Sequence, residues 1–267
     1  MIVLENELKS LLGDLESEDE ATCRRAIEDL GEARSVAAIT PLVALIESPS
    51  SAMRELIVDA LVSIGGVKTI NAVIPLLNSE EPSIRNAACE ILYRIGDESI
   101  DPLEQLLKHE SKDVRKFAID ILSMIGNPNS EEALINALDD DDSNVAAAAA
   151  EALGEIRGTK SVDKLISSIG AADSHAWMQC SVAKSLGQIG GDTAVNTLIQ
   201  LTKQEDPMVV FSAMHALSAL QYETWKPVFH ELAQHENEVV AEYATLTLQR
   251  YGTENLSSDQ IGNACCN

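Results

Sequence analysis

A block of about thirty residues recurs down almost the whole chain, and a recurrence of that length restricts the fold more than any single motif. The clearest copies run from Ser83 to Gly96 and from Asp113 to Gly126. The last position of this frame falls at Arg34, Gly65, Gly96, Gly126, Arg157, Gly190, Gln221 and Gly252, the final one displaced by a place at Tyr251. Successive spacings are 31, 31, 30, 31, 33, 31 and 31 residues. One such block cannot bury its own apolar face, so the blocks must stack, and the expected fold is an all-α solenoid, right-handed, of about eight two-helix repeats over residues 1–252.

Each block reads as two helices. The first, A, carries segments such as Ile39–Ile46 and Asp101–Leu107, with Pro41, Pro75, Pro102 and Pro227 near helix starts, where a missing N–H costs little. A polar turn follows, as in Asn78–Ser83. The second helix, B, is apolar at i, i+3, i+4 and i+7, as Val114, Phe117, Ala118 and Ile121 show. A glycine in the last frame position predicts a left-handed stop to B.

The 267 residues carry a net charge of −24, which disfavours binding to nucleic acid or to an anionic membrane surface. Aromatic residues make up only 3% of the chain, so the expected core is Leu, Ile, Val and Ala rather than a cofactor cavity. The N-terminus has no basic start followed by an apolar run, and no stretch approaches the ~20 apolar residues of a membrane span. The cysteines, Cys23, Cys89, Cys180, Cys265 and Cys266, are odd in number and irregularly spaced, which points to a reducing cytoplasm rather than a disulfide framework.

The segments Leu30–Leu42, Ala152–Ile156 and Ser185–Gly190 resemble the short HEAT repeats of the phycobilisome lyase type, over roughly residues 3–252. The resemblance implies the two-helix solenoid. It leaves function open, because the same repeat serves lyases, a hydroxylase and plain adaptors.

B helices of such solenoids line the concave face, which is the usual binding surface. Arg54, Arg85 and Arg115 share one B-helix position, held elsewhere by Cys23, Ala146, Gln179, Val210 and Ala241. Five places on lie Glu28, Asp59, Glu90, Asp120 and Glu151, an acidic column that either serves a basic ligand or pairs with neighbours such as Arg24 and Lys116. The last three repeats break the pattern. The acidic column becomes Lys184, His215 and Leu246, and polar places near the B-helix start become Trp177, Met208, Val239, Cys180 and Phe211. Trp177, Cys180, Lys184, Met208, Phe211 and His215 are therefore the expected protein-binding patch, since aromatic and Met anchors with a polar rim suit interfaces. The competing reading has Trp177 folding back on the longer turn Gly170–His175.

No nucleophile elbow, phosphate loop or zinc spacing occurs. The pairs His109-Glu110, His230-Glu231 and His235-Glu236 resemble those of HEAT-repeat deoxyhypusine hydroxylases, but they fall in turns and in an A helix, so no metal is expected. Cys180 near cationic groups is read as an apolar filler rather than a nucleophile. Residues 253–267 read as a disordered polar tail. The functional expectation is a non-catalytic cytoplasmic adaptor, without cofactor, holding a protein partner on its concave face. The resemblance implies the alternative, a phycobilin lyase or chaperone-like lyase subunit, with Trp177, His175, Cys180 and His215 as contacts.

Overall fold

The computed structural model describes the backbone of residues 2–48, 50–170, 175–220 and 222–262, and within these ranges the side chains of residues 6–251 except 222–224. The first two helices are equal in length, and from the third onward a shorter A is followed by a longer B. The first four pairs are α1 (Ile2–Asp14) with α2 (Glu20–Glu32), α3 (Ile39–Leu45) with α4 (Ser51–Ile64), α5 (Gly66–Val73) with α6 (Pro82–Ile95), and α7 (Ile100–Leu106) with α8 (Lys112–Ile125). Four more follow: α9 (Glu131–Ala137) with α10 (Ser143–Glu155), α11 (Val162–Ile169) with α12 (Ala176–Ile189), α13 (Asp192–Leu201) with α14 (Pro207–Ser218), and α15 (Tyr222–Leu232) with α16 (Glu238–Gly262). The architecture is an all-α solenoid of two-helix repeats. Its contacts cluster into two units, Met1–Ser130 and Glu131–Asn267.

In the first unit α2, α4, α6 and α8 pack in sequence, and in the second α10, α12, α14 and α16 do the same. The B helices bury their apolar stripe against both the next B helix and their own A helix. In α8 that stripe is Val114, Ala118, Ile121 and Leu122. Side-chain caps start several B helices: Asp19 accepts from the Thr22 N–H at 3.1 Å, Ser50 from Met53 at 3.3 Å and Asp206 from Met208 at 2.8 Å.

The ends of the B helices differ in detail from the expected glycine stop. The last frame position has positive φ at Arg34, Gly65, Gly96, Gly126, Arg157 and Gly190, but only Gly126 combines it with a left-handed ψ among the glycine caps. At the two arginines the chain closes a Schellman motif. Ser35 N–H bonds to Leu30 O and Arg34 N–H to Gly31 O, and Gly158 N–H bonds to Leu153 O and Arg157 N–H to Gly154 O, all at 2.9–3.1 Å. Geometry that glycine adopts freely is thus imposed on two arginines.

Four expectations need correction. Pro75 lies beyond the α part of its helix and starts a 3-10 turn, Ile74–Asn78, while Pro227 lies inside α15 rather than near its start. The core is not wholly aliphatic, because Trp225 and Phe229 of α15 are completely buried. Their rings lie 4.6 Å apart, and Tyr251 meets Trp225 edge-on at 5.2 Å, so aromatics fill the space between α15 and α16. Finally, α16 runs past Gly252 to Gly262. One glycine costs a helix only about 1 kcal/mol, and no proline follows to end it. Over residues 253–262 the expected loose tail is helical backbone, whereas Cys265 and Cys266 lie outside the described residues.

Candidate functional site

The recurring arginine of repeats two to four closes its own A–B turn. Arg54 donates to Ser48 O at 2.8 Å and to Ile46 O at 3.4 Å. Arg85 donates from Nη1 to Ser79 O at 2.7 Å and Glu80 O at 2.8 Å, and Arg115 from Nη1 to His109 O at 3.0 Å and Glu110 O at 3.3 Å. In the first repeat Cys23 Sγ donates to Leu15 O at 3.4 Å from the same position. This column therefore latches the carbonyls of the A–B turn. Sequence reading located the column but not the direction its side chains take.

In the fifth repeat the column holds Ala146, and the space beside the turn is a cleft of about 500 Å³. Asp139, Asp140, Asp141, Ala146, Lys164, His175 and Trp177 are among the residues that line it. The turn carries the run Asp139–Asp142, which was not singled out from the sequence; the signal was its coincidence with alanine in the arginine column. Lys164 Nζ bonds both Asp139 carboxylate oxygens at 2.7 Å. Asp140 Oδ1 accepts from the Asp142 N–H at 2.9 Å, and Asp142 caps α10 through the Asn144 and Val145 N–H groups.

Trp177 opens a row of exposed apolar side chains near the starts of consecutive B helices. Trp177 on α12, Met208 on α14 and Val239 on α16 are 58%, 60% and 60% exposed, and Leu246, two turns further along α16, is 56% exposed. Phe211 is half-buried, its ring meeting Tyr243 edge-on at 5.8 Å across the α14–α16 interface. Cys180 is half-buried and His215 exposed. Lys184 is exposed, but its ammonium lies 2.8 Å from Glu151 and 3.7 Å from Glu155, so it ties α12 to α10. Those bonds, the one to Glu151 foremost, hold its pKa above the ordinary lysine value. His175 lies with Trp177 in the cleft, while residues 171–174 of the same turn lie outside the described residues.

The acidic column is largely spoken for. Arg94 bonds Asp59 at 2.8 Å and Glu90 at 3.2 Å, and its pKa is raised, chiefly by Asp59. Lys116 bonds Asp120 at 2.8 Å, and Glu151 accepts from Ser181 Oγ at 3.0 Å besides holding Lys184. The expected Arg24–Glu28 pair is replaced by Arg24–Glu20 at 3.8 Å, one turn toward the helix start. Among the described residues no group of three or more His, Cys, Asp or Glu is placed to hold a metal ion. His109 Nδ1 accepts from the Ser111 N–H and His235 Nδ1 from the Asn237 N–H, both at 3.0 Å, which makes them turn residues. Among the described residues no helix is long and apolar enough to cross a membrane.

Stacked helix pairs with a thirty-one-residue period define an α-solenoid. The HEAT-repeat family model matches residues 8–90, 100–176 and 169–249, and the chain belongs to that family, in the form shared with phycobilisome lyases. It is 31% identical over 111 residues to "Phycocyanobilin lyase subunit beta" of Thermosynechococcus vestitus, covering 41% of this chain and 52% of that protein. It is 30% identical over 165 residues to "Uncharacterized phycocyanin operon protein Z" of Pseudanabaena tenuis, covering 58% of this chain and 81% of that one. The chain thus spans about half the length of the lyase subunit. An engineered protein of known crystal structure superposes with a TM-score of 0.46 at 21% identity, covering 93% of this chain and 79% of that one.

Proposed function

We propose that the protein is a non-catalytic adaptor that holds a protein partner on the B-helix surface of its second unit, within the cytoplasm and without a cofactor. The observation that carries this reading is the exposed row Trp177, Met208 and Val239. Three large apolar side chains stand in water at matched positions of successive repeats, where the middle repeats carry Ser83, Asp113 and Asn144. Nothing in the fold requires them there, because the B helices pack through other faces. Phe211, Cys180 and His215 widen the row, and Lys184 with its two glutamates forms a polar rim. Repeat solenoids generally bind proteins, and a surface built from stacked helices needs little ordering when a partner docks.

The test compares wild type with Trp177→Ala/Met208→Ala in affinity capture from the source cell. Unchanged helical content with loss of one defined partner is the expected result. Equal recovery of that partner by the folded double variant would sink the reading.

The names of the two relatives favour a second reading, action as a phycobilin lyase or as a chaperone-like subunit of one. Trp177, His175, Cys180 and His215 would then contact the bilin. Mixing the protein with phycocyanobilin decides it. A red-shifted, sharpened visible band, and transfer of pigment to a phycobiliprotein cysteine, favours the lyase. An unaltered spectrum leaves the adaptor.

A further inference from the structure

The row Trp177, Met208 and Val239 has a spacing and a charged edge, and the two together describe what fits on it. The three side chains occupy one position of α12, α14 and α16, which pack in sequence within the second unit. Packed helices lie about 8–10 Å apart, so the row offers three apolar contacts at about that interval. Side chains seven residues apart on an α-helix share a face and are separated by about 10 Å. Same-face residues of an extended strand fall about 7 Å and 14 Å apart and miss these contacts. Cys180 and Phe211 lie one turn on from Trp177 and Met208 along the same helix faces, which gives the strip the width that a helix needs.

The edge of the strip toward the A–B turns is acidic. Glu205 and Glu236 stand three residues before Met208 and Val239 respectively, and Glu238 adjoins Val239. All three glutamates are exposed, and among the described residues none forms an ion pair. In this they differ from Asp59, Asp120 and Glu151, which Arg94, Lys116 and Lys184 hold. Glu205 and Glu236 do not cap a helix either, because Asp206 and Asn237 take that role at the starts of α14 and α16. Carboxylates that no cation of the chain answers, set along an apolar strip, complement a partner with basic groups along its own apolar face.

We infer that this strip receives an amphipathic helix of a partner protein, with apolar residues at i, i+7 and i+14 on the row and Lys or Arg along the edge that faces Glu205 and Glu236. The inference rests on the reading of the second unit as a protein-binding surface, and it gives that partner a secondary structure and a charge.

The experiment titrates the full chain, ¹⁵N-labelled, with three synthetic peptides of three heptads each. The first forms a helix with a leucine stripe and lysines along one edge. The second carries glutamate in place of those lysines, and the third has the composition of the first in scrambled order. The indole N–H signal of Trp177, assigned through Trp177→Phe, is the readout. The first peptide should shift it in a saturable manner, roughly tenfold tighter than either of the others. Glu205→Lys/Glu236→Lys should weaken the lysine peptide about tenfold and strengthen the glutamate peptide. Equal affinities for the first two peptides, equal affinities for the first and the scrambled one, or an unchanged preference in the charge-reversed variant overturns the inference. Should that variant lose helical content, salt takes its place: wild-type affinity for the lysine peptide should fall several-fold as salt is raised, and an affinity indifferent to salt defeats the assignment. Loss of the cellular partner by Trp177→Ala/Met208→Ala, with no discrimination among the peptides, would end this inference while leaving the adaptor reading intact.

Discussion

Gly187 on α12 lies so close to Ala216 on α14 that a methyl group added to it would stand 2.7 Å from the Ala216 Cβ and 3.0 Å from its Cα. The same contact joins Gly31 to Ala60, at 2.9 Å and 2.8 Å, and Gly154 to the Cα of Ser185, at 2.7 Å. The Leu-Gly step in these repeats is therefore a packing feature. It lets consecutive B helices approach to backbone contact. Gly187→Ala should destabilise the protein by about 1–3 kcal/mol, because the clash meets backbone rather than a movable side-chain end. Gly13→Ala on α1 meets nothing within 4 Å and serves as the control. Its midpoint should hold or rise, since alanine favours a helix by about 1 kcal/mol over glycine. Thermal unfolding of both variants checks this, and a Gly187→Ala midpoint equal to that of wild type contradicts it.

Arg157 closes its Schellman motif at φ 53, in a backbone region that costs a side chain roughly 1–2 kcal/mol. The side chain is exposed. Arg157→Gly relieves the strain, and the greater freedom of glycine in the unfolded chain offsets part of the gain. The expected outcome is a net stabilisation of about 0.5–1 kcal/mol, read as a higher urea midpoint at unchanged slope. Arg34→Gly, at φ 48, should behave likewise.

Burial pushes the Cys89 thiol up from 9.0 to about 11, with the Asp120 carboxylate adding to the effect. At pH 8 its thiolate is therefore on the order of a hundredfold rarer than that of an ordinary cysteine, and iodoacetamide should label it correspondingly slowly in the native state. The folded pKa lies above the unfolded one. The contribution of this group to stability is thus complete below pH 9 and is lost as pH rises from about 9 to 11. Peptide mass mapping after timed alkylation at pH 8 measures the rate. Labelling as fast as in urea would show the thiol to be unshielded.

The fold was legible because a solenoid writes its period directly into the sequence: the positions that pack recur every thirty-one residues, and the glycines and arginines at B-helix ends mark the register. The row Trp177, Met208 and Val239 was legible for the same reason, as apolar residues in places that are polar in the middle repeats. What periodicity does not encode is where a long side chain turns. Arg85 belongs to a column on the B helix, yet its guanidinium runs back to the A–B turn. Lys184 reaches Glu151, thirty-three residues earlier, on the preceding B helix. Trp225 and Phe229 are buried beside each other and Tyr251, an aromatic cluster that a repeat alignment does not register.

The latch itself can be tested in the repeat that shows it most fully. Arg85 donates to two carbonyls of its turn, and its guanidinium lies 5.8 Å from the centre of the Phe117 ring in the next B helix. Arg85→Ala removes both hydrogen bonds and the ring contact, but water reaches the half-exposed turn and satisfies the carbonyls. The loss should therefore be about 1–2 kcal/mol rather than the larger penalty of a sealed site. Its effect should also be local. Hydrogen exchange at the amides of Ser79, Glu80, Glu81 and Ser83 should quicken about tenfold, while amides in α2 keep their protection. Arg85→Lys should recover less than half of the stability, because an ammonium lacks the planar fork that reaches both carbonyls and faces the ring. Exchange rates in the turn that match those of wild type would show that the helix ends, and not this side chain, hold the A–B connection closed.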